Sequence, residues 1–374
     1  MYFKFKNPKK VDIVILDGNH ESLFKNYIID KEHSYTVVES KINILYITPL
    51  MTWIVIKNIF RIKNKEKRIL AYLYKIYLLS LLNLHNPKII LTFSDNNLLY
   101  HWLIRNDNTV SYLAIQNGIR QKFEFDILKK LSSIEINHDY YFCFGDYDIN
   151  FHKKMGFSID KAFPCGSLKL GISQLKSKKI TKKYDICLLS NYKVPSRNQN
   201  CDITKEIAEN NFLLDKNIKE YCNKNEKSII IALRSIRNSE KNYYKSIYGD
   251  DVTFTTGLVE SFSSYTASIQ SEITVAYQTT LLLETLAIKN KVLHIDFTNN
   301  SIFFDYDSVI KYKFTSFNEM EEKLNQIYLM NINDYVASTK TQQKYVMNYN
   351  SDNPPHEIIN SQINKIINTI NYVN

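Results

Sequence analysis

Apolar runs of strand length alternate with helix-length segments along almost the whole chain, and that alternation restricts the fold more than any other feature. The runs are rich in Val, Ile and Leu at successive positions, as strands covered on both faces are, and the helix-length spacers are the crossovers a parallel sheet needs. In the first half they are VDIVIL (11–16), YTVVE (35–39), INILYI (42–47), KIILTF (88–93), VSYLAI (110–115) and YYFCFG (140–145). After FPCGSLKLG (163–171) the pattern lapses in the polar, basic stretch ISQLKSKKITKKYD, which shows no strand or helix pattern. It resumes with YDICLLS (184–190), a helix near 202–223, SIIIALRS (228–235), VTFTT (252–256), ITVAY (273–277), a helix from Thr279 and KVLHIDF (291–297). Segments 316–329 and 332–349 read as helices, and HEIINSQINKIINTINYVN as a last amphipathic one.

One lapse in 374 residues divides the chain into two α/β domains of ordinary size. The expected boundaries are an N-terminal domain 1–171, a linker 172–183, a C-terminal domain 184–350 and a final helix 351–374 that packs back on the first domain. Hydrophobic content of 44% and charged content of 23% exclude a disordered chain, and a net charge of +10 favours anionic partners. The five cysteines form no CxxC pair and no zinc-like spacing, so they read as reduced structural thiols of a cytoplasmic protein. The start, MYFKFKNPKKVDIVILDG, is charged and its short apolar run reads as a first strand, which argues against a cleaved signal peptide. No uncharged run approaches the ~20 residues of a spanning helix. Residues 50–84 combine aromatic and aliphatic side chains with a basic block around Arg61 to Arg68. They suit either a helix lying in an anionic lipid interface at the inner face of the membrane or a core-packed helix with one solvated basic turn.

In open parallel sheets, ligands bind beyond the carboxyl ends of the strands. In the first domain those positions supply Asp17 and His20 from DGNHES, Asp95 from FSDNN, and Gln116, Asn117, Gly118 and Arg120 from QNGIRQ. Asp95 falls where a strand hands over to a helix and is read as either an N-cap or a functional carboxylate. His20 reads as a surface residue or a general base. Asn117-Gly118 is a common turn pair, but a hairpin is out of place between strands that alternate with helices.

The second domain offers ITVAYQTTLLLETLAIKNKVLHIDF (273–297), a strand running through Gln278, Thr279 and Thr280 into a helix that carries Glu284. Free N–H groups and two hydroxyls at a helix start suit a phosphate, and Glu284 could reach a ribose; the plainer reading is a Thr N-cap and a helix-favouring Glu. Arg234, at the end of another strand, presents a planar fork that matches phosphate oxygens, and Ser190 and Asn191 follow a third. No GxG, GK[ST], HExxH or GxSxG occurs, which excludes the dinucleotide fingerprint, the nucleoside-triphosphate loop and two hydrolase designs. The dispersed basic residues match no nucleic-acid module.

The segments IILTFSDNNLLYHWL, SYLAIQNGIRQ, YYFCFGDYDINFHKKMGFSIDKAFPCGSLKLG and ITVAYQTTLLLETLAIKNKVLHIDF, in that order, resemble bacterial surface carbohydrate biosynthesis proteins. These are transferases of the two-domain glycosyltransferase B fold, related to capsule and lipopolysaccharide Kdo transferases and, more distantly, to teichoic-acid polymerases. The resemblance implies two Rossmann-like parallel-sheet domains facing a cleft, an acceptor side in the first and a nucleotide-sugar site in the second. It places Thr279, Thr280 and Glu284 on donor phosphate and ribose, and Asp95 with the 116–120 loop on the transferred sugar. Asp95 is then the base or electrostatic stabiliser, Asn117 and Arg120 hold the sugar, and Arg234 offsets leaving-group charge without a metal. The implied partners are a nucleotide sugar, such as a CMP-activated Kdo-like or nonulosonic acid, and a glycan or lipid-linked acceptor. A CDP-polyol phosphotransferase is the alternative, and a non-catalytic glycan- or nucleic-acid-binding protein the other. Gln116-Asn117-Gly118 stands where the capsule enzymes carry Glu-Asp-Gly, and an amide cannot act as a carboxylate nucleophile.

Overall fold

The structure is a computed structural model that describes residues 2–41, 43–62, 68–120, 122–131, 137–176, 181–192, 202–257, 261–277, 279–298 and 310–373. It divides into two units, one running to Leu168 and rejoined by the chain from Asn350, the other Lys169–Tyr349.

The first unit opens with β1 (Tyr2–Lys4), β2 (Ile13–Leu16), α1 (Glu21–Tyr27), β3 (Tyr35–Val38) and β4 (Ile44–Tyr46). Helices α2 (Pro49–Arg61) and α3 (Ile69–His85) follow, then β5 (Ile89–Thr92), α4 (Leu98–Asn106), β6 (Ser111–Ile115) and α5 (Lys122–Leu131). β7 (Asn137–Cys143), α6 (Asp146–Lys154) and β8 (Ser158–Pro164) complete it. Six strands form one wholly parallel sheet in the order β3-β2-β5-β6-β7-β8, so the order reverses between β2 and β5. β2 and β5 are buried along their whole length, which is why they read as unbroken apolar runs.

Three features of this unit differ from the sequence reading. The 42–47 run does not join the main sheet: β4 pairs in parallel with β1, a strand the sequence reading passed over, in a separate two-stranded ribbon. The described part of residues 50–84 lies in two helices, α2, opened by Pro49 behind a Thr48 side chain that accepts Met51 N–H at 3.1 Å, and α3 from Ile69. β8, with few apolar residues, is an edge strand that apolar-run counting misses.

The second unit comprises α7 (Leu168–Lys176), β9 (Tyr184–Leu189), α8 (Asp202–Lys224), β10 (Ile229–Ala232), α9 (Asn238–Tyr248), β11 (Thr253–Phe254) and α10 (Ser263–Ile269). It continues through β12 (Ser271–Ala276), α11 (Thr280–Ala287), β13 (Lys291–Asp296), β14 (Lys311–Lys313), α12 (Phe317–Leu329) and α13 (Ile332–Val346). Its strands run parallel in the order β11-β10-β9-β12-β13-β14, with the reversal between β9 and β12. α7 occupies the first part of the stretch read as linker: Leu168, Leu170 and Ile172 are buried while Leu175 and Lys176 face out, so its lysines mask a helix with an apolar side.

The last helix, α14 (Pro355–Val373), belongs to the first unit. Asn360 donates to Ile28 O and to Asp30 Oδ1, and Asn364 donates to Asp30 Oδ2 at 2.8 Å. Among the described residues, the four cysteines are all buried and unpaired, and no helix is long and apolar enough to cross a membrane.

Candidate functional site

At the strand ends of the first unit, the loop after β6 is clamped from beneath by buried polar groups. Gln116, 1% exposed, donates through Nε2 to Asp148 Oδ1 at 2.7 Å and to Gly118 O at 3.0 Å, and its Oε1 accepts Phe144 N–H at 2.9 Å. Arg120 donates through Nε to Asp95 Oδ2 at 3.1 Å, through Nη2 to Asp95 Oδ1, and through Nη2 to Asn117 Oδ1 at 2.8 Å. Asp95 is 3% and Arg120 7% exposed, so this is a buried bidentate pair. Tyr141 adds a hydroxyl to Asp95 Oδ2 at 3.2 Å, and His101 is buried against the Asp95 carbonyl at 2.9 Å.

The electrostatics follow from that burial. Loss of solvent lowers the Arg120 pKa, but the charge and hydrogen bonds of Asp95, with Glu124 and Tyr141 adding to them, together outweigh it and raise the guanidinium above its ordinary value. Burial pushes Asp148 up to about 7, against the opposing Gln116 hydrogen bond, and pushes His152 down to about 4. Both Asp95 oxygens are occupied, so the carboxylate organises the loop and is not presented as an open base. The cap of α4 is Asn97, which accepts Leu99 N–H at 2.9 Å, and not Asp95. What the loop leaves partly open is Asn117, Gly118 and Ile119.

At the β2/β5 reversal, Asp17 adopts φ 66°, an uncommon conformation for a residue other than glycine. Its Oδ1 accepts Ser40 N–H at 2.7 Å and its Oδ2 accepts Asn97 Nδ2 at 3.2 Å, tying three strand ends together. His20 is half-buried with its ring edge on Phe93, centroids 4.6 Å apart.

The second unit gathers its candidates at the β9/β12 reversal. Asn191 donates to Tyr277 O at 3.2 Å across it. Thr279 is the N-cap residue of α11 but its side chain makes no cap hydrogen bond, and both Thr279 and Thr280 are partly exposed. Gln278 lies outside the described residues. Arg234, after β10, has an exposed side chain. Glu284 is 4% exposed, inside α11, and its charge opposes the burial-driven lowering of the Lys169 pKa.

A carboxylate the sequence reading passed over organises this rim. Glu240, 1% exposed, accepts Ser190 Oγ and Arg234 N–H on Oε1, and Ser235 N–H at 3.0 Å and Ser235 Oγ at 2.8 Å on Oε2. Its signal was an acid in the first turn after RSIRNS, a helix-start pattern. Gly257 lets the neighbouring loop close in: it has φ +71°, and a Cβ there would lie 2.4 Å from Ser235 O. Asp148 and Tyr141 were the comparable omissions in the first unit, both inside the YYFCFGDYD segment.

A family model described as "putative O-antigen biosynthesis protein" matches residues 113–372. A search of curated proteins finds no match. Among solved structures, the wall teichoic acid polymerase TagF superposes with a TM-score of 0.54 at 9% identity, over 96% of this chain and 90% of that one. S. aureus MnaA, in a co-structure with UDP, superposes with a TM-score of 0.52 at 12% identity, over 96% and 97%. At such identities the likeness speaks for the fold, which a polymerase and MnaA share. With more than half of its length matched by that family and two parallel sheets of this topology, the chain belongs to the O-antigen biosynthesis family and is a surface-carbohydrate protein of the glycosyltransferase B fold.

Proposed function

We propose that the protein is a glycosyltransferase that moves a sugar from a nucleotide donor to a bacterial surface polysaccharide or lipopolysaccharide acceptor, the second unit holding the nucleotide. The observation that carries this reading is the β9/β12 reversal, where Asn191 after β9 donates to Tyr277 O just ahead of Thr279 and Thr280, and Arg234 follows the end of the neighbouring β10. A reversal of strand order in a parallel sheet opens a crevice, and backbone N–H groups at a helix start suit a phosphate, as does an exposed arginine after a strand of the same sheet. MnaA with UDP and a TagF variant with CDPG are neighbours whose structures carry such ligands.

In this reading Arg234 offsets charge on the departing phosphate, and Thr279 and Thr280 bind the phosphate oxygens with the α11 N–H groups. The first unit carries Asn117 and Gly118, groups suited to sugar hydroxyls, on a loop held by the Asp95–Arg120 and Gln116–Asp148 contacts. Asp17 and His20, at that unit's own reversal, lie on the acceptor side. With amides at Gln116 and Asn117, the loop has no carboxylate to form a covalent glycosyl intermediate. Basic side chains and helix N–H groups stabilise the leaving group, so no metal is needed: a chelator should leave turnover intact, and loss restored by magnesium would refute this.

Incubation with a panel of nucleotide sugars and acceptor glycans tests the reaction. Release of free nucleotide with a new glycosidic bond supports it, and epimerised donor without transfer overturns it. The teichoic-acid-type fold neighbours keep a second reading in view, transfer of a polyol phosphate from a CDP-activated donor. Phosphorus retained in the polymer product identifies that reaction.

A further inference from the structure

The first unit carries an apolar surface where a globular domain ordinarily shows charge. The outward stripe of α2 is Leu50, Trp53, Lys57 and Phe60, at helical spacing, while Met51, Asn58 and Ile62 on the opposite side are buried. Trp53 is 65% and Phe60 85% exposed. The start of α3 adds Leu70 at 80%, and the β1–β4 ribbon adds Tyr2 at 76%. These elements form one continuous stretch: Ile47 N–H bonds to Lys4 O at 2.8 Å, α2 follows β4 directly, and Asn58 on α2 donates to Ser80 on α3 at 2.9 Å.

The exposed charged residues that these elements contribute are all basic. Lys4, Lys57, Arg61 and Arg68 are exposed, and the only acidic residue between Asn43 and Pro87 is Glu66. Aromatic rings flanked by lysine and arginine are what a helix lying at a lipid headgroup layer needs, the rings entering the acyl boundary and the cations meeting phosphates. A second copy of the chain is a poor occupant, since a two-fold contact would press like charges together.

We propose that α2, the start of α3 and the β1–β4 ribbon dock the protein on an anionic lipid bilayer. This rests on the exposed surface alone and is independent of the reaction proposed above.

Flotation with vesicles of phosphatidylcholine and phosphatidylglycerol in equal parts, against phosphatidylcholine alone, tests it. The full chain is expected to float with the anionic vesicles and not the neutral ones. Trp53 emission should shift to the blue on binding, since Trp102, the other tryptophan, is already buried. The double variant Trp53→Ser/Phe60→Ser, whose side chains face solvent, should bind at least tenfold less while keeping its circular dichroism and urea midpoint. Lys57→Glu/Arg61→Glu should lose the preference for anionic vesicles. Absence of wild-type binding, equal binding by the Trp53/Phe60 variant, or self-association through this surface without lipid each overturns the proposal. Nucleotide titration of the variants should be unchanged, so failure here is distinct from failure of the transferase reading.

Discussion

Arg120 is held by both oxygens of one buried carboxylate, and that geometry sets what a single substitution does. Replacing Arg120 by methionine leaves Asp95 charged and unsolvated, and should lower the unfolding free energy by about 3–5 kcal/mol. Asp95→Leu alone should cost a similar amount. The double variant should cost less than the sum, because neither charge then stays buried alone; urea unfolding of all four proteins checks this, and strict additivity would mean the pair is not coupled. Asp148 makes a pH statement. Its folded pKa, about 7, lies above its ordinary value of 3.8, so its contribution to stability is present at low pH and lost as pH rises toward 7. Asp148→Asn keeps an acceptor for Gln116 and removes that loss. Relative to wild type, the variant should gain about 2 kcal/mol between about pH 5 and about pH 8, read from urea midpoints; an unchanged difference would show that Asp148 does not titrate there.

The loops that position these side chains were only half visible to a reading of local pattern. QNGIR and YQTT follow apolar runs and announce themselves as strand ends. The acids that hold such loops, Asp148 and Glu240, lie within the first turn of α6 or α9, where an acid is also an ordinary helix-start residue. Only the packed structure shows that Glu240 collects two backbone N–H groups and two hydroxyls. Glu240→Ala should therefore destabilise the second unit by about 2–3 kcal/mol and weaken nucleotide binding with it, because buried donors lose a charged acceptor. Gly257 tests the same loop from the other side. At φ +71°, with Ser235 O in the place of a Cβ, Gly257→Ala should cost about 1–3 kcal/mol in thermal or urea unfolding. A variant as stable as wild type would mean that the loop yields freely. Helices α2 and α3 escaped for a different reason: Leu50, Trp53, Phe60, Ile69 and Leu70 are apolar yet exposed, so the pattern of residues 50–84 carried a weak signal of which side was buried.

At the level of the whole chain, parallel strands announce their existence but not their order. The runs 88–93 and 273–277 were legible because both faces of β5 and β12 are covered, whereas the reversals at β2/β5 and β9/β12 depend on which helix crosses which face, and nothing local encodes that. The edge strand β8 had too few covered residues to register. Nucleotide binding at the second reversal is what the proposed transfer reaction requires above all. Calorimetric titration with CMP, CDP and UDP measures this most directly, comparing wild type with Arg234→Ala and with Lys245→Ala, an exposed lysine elsewhere in the same unit. The prediction is saturable binding of at least one nucleotide, weakened about tenfold, or about 1.4 kcal/mol, by Arg234→Ala and unchanged by Lys245→Ala. No binding of any of them, or binding indifferent to Arg234, would contradict it.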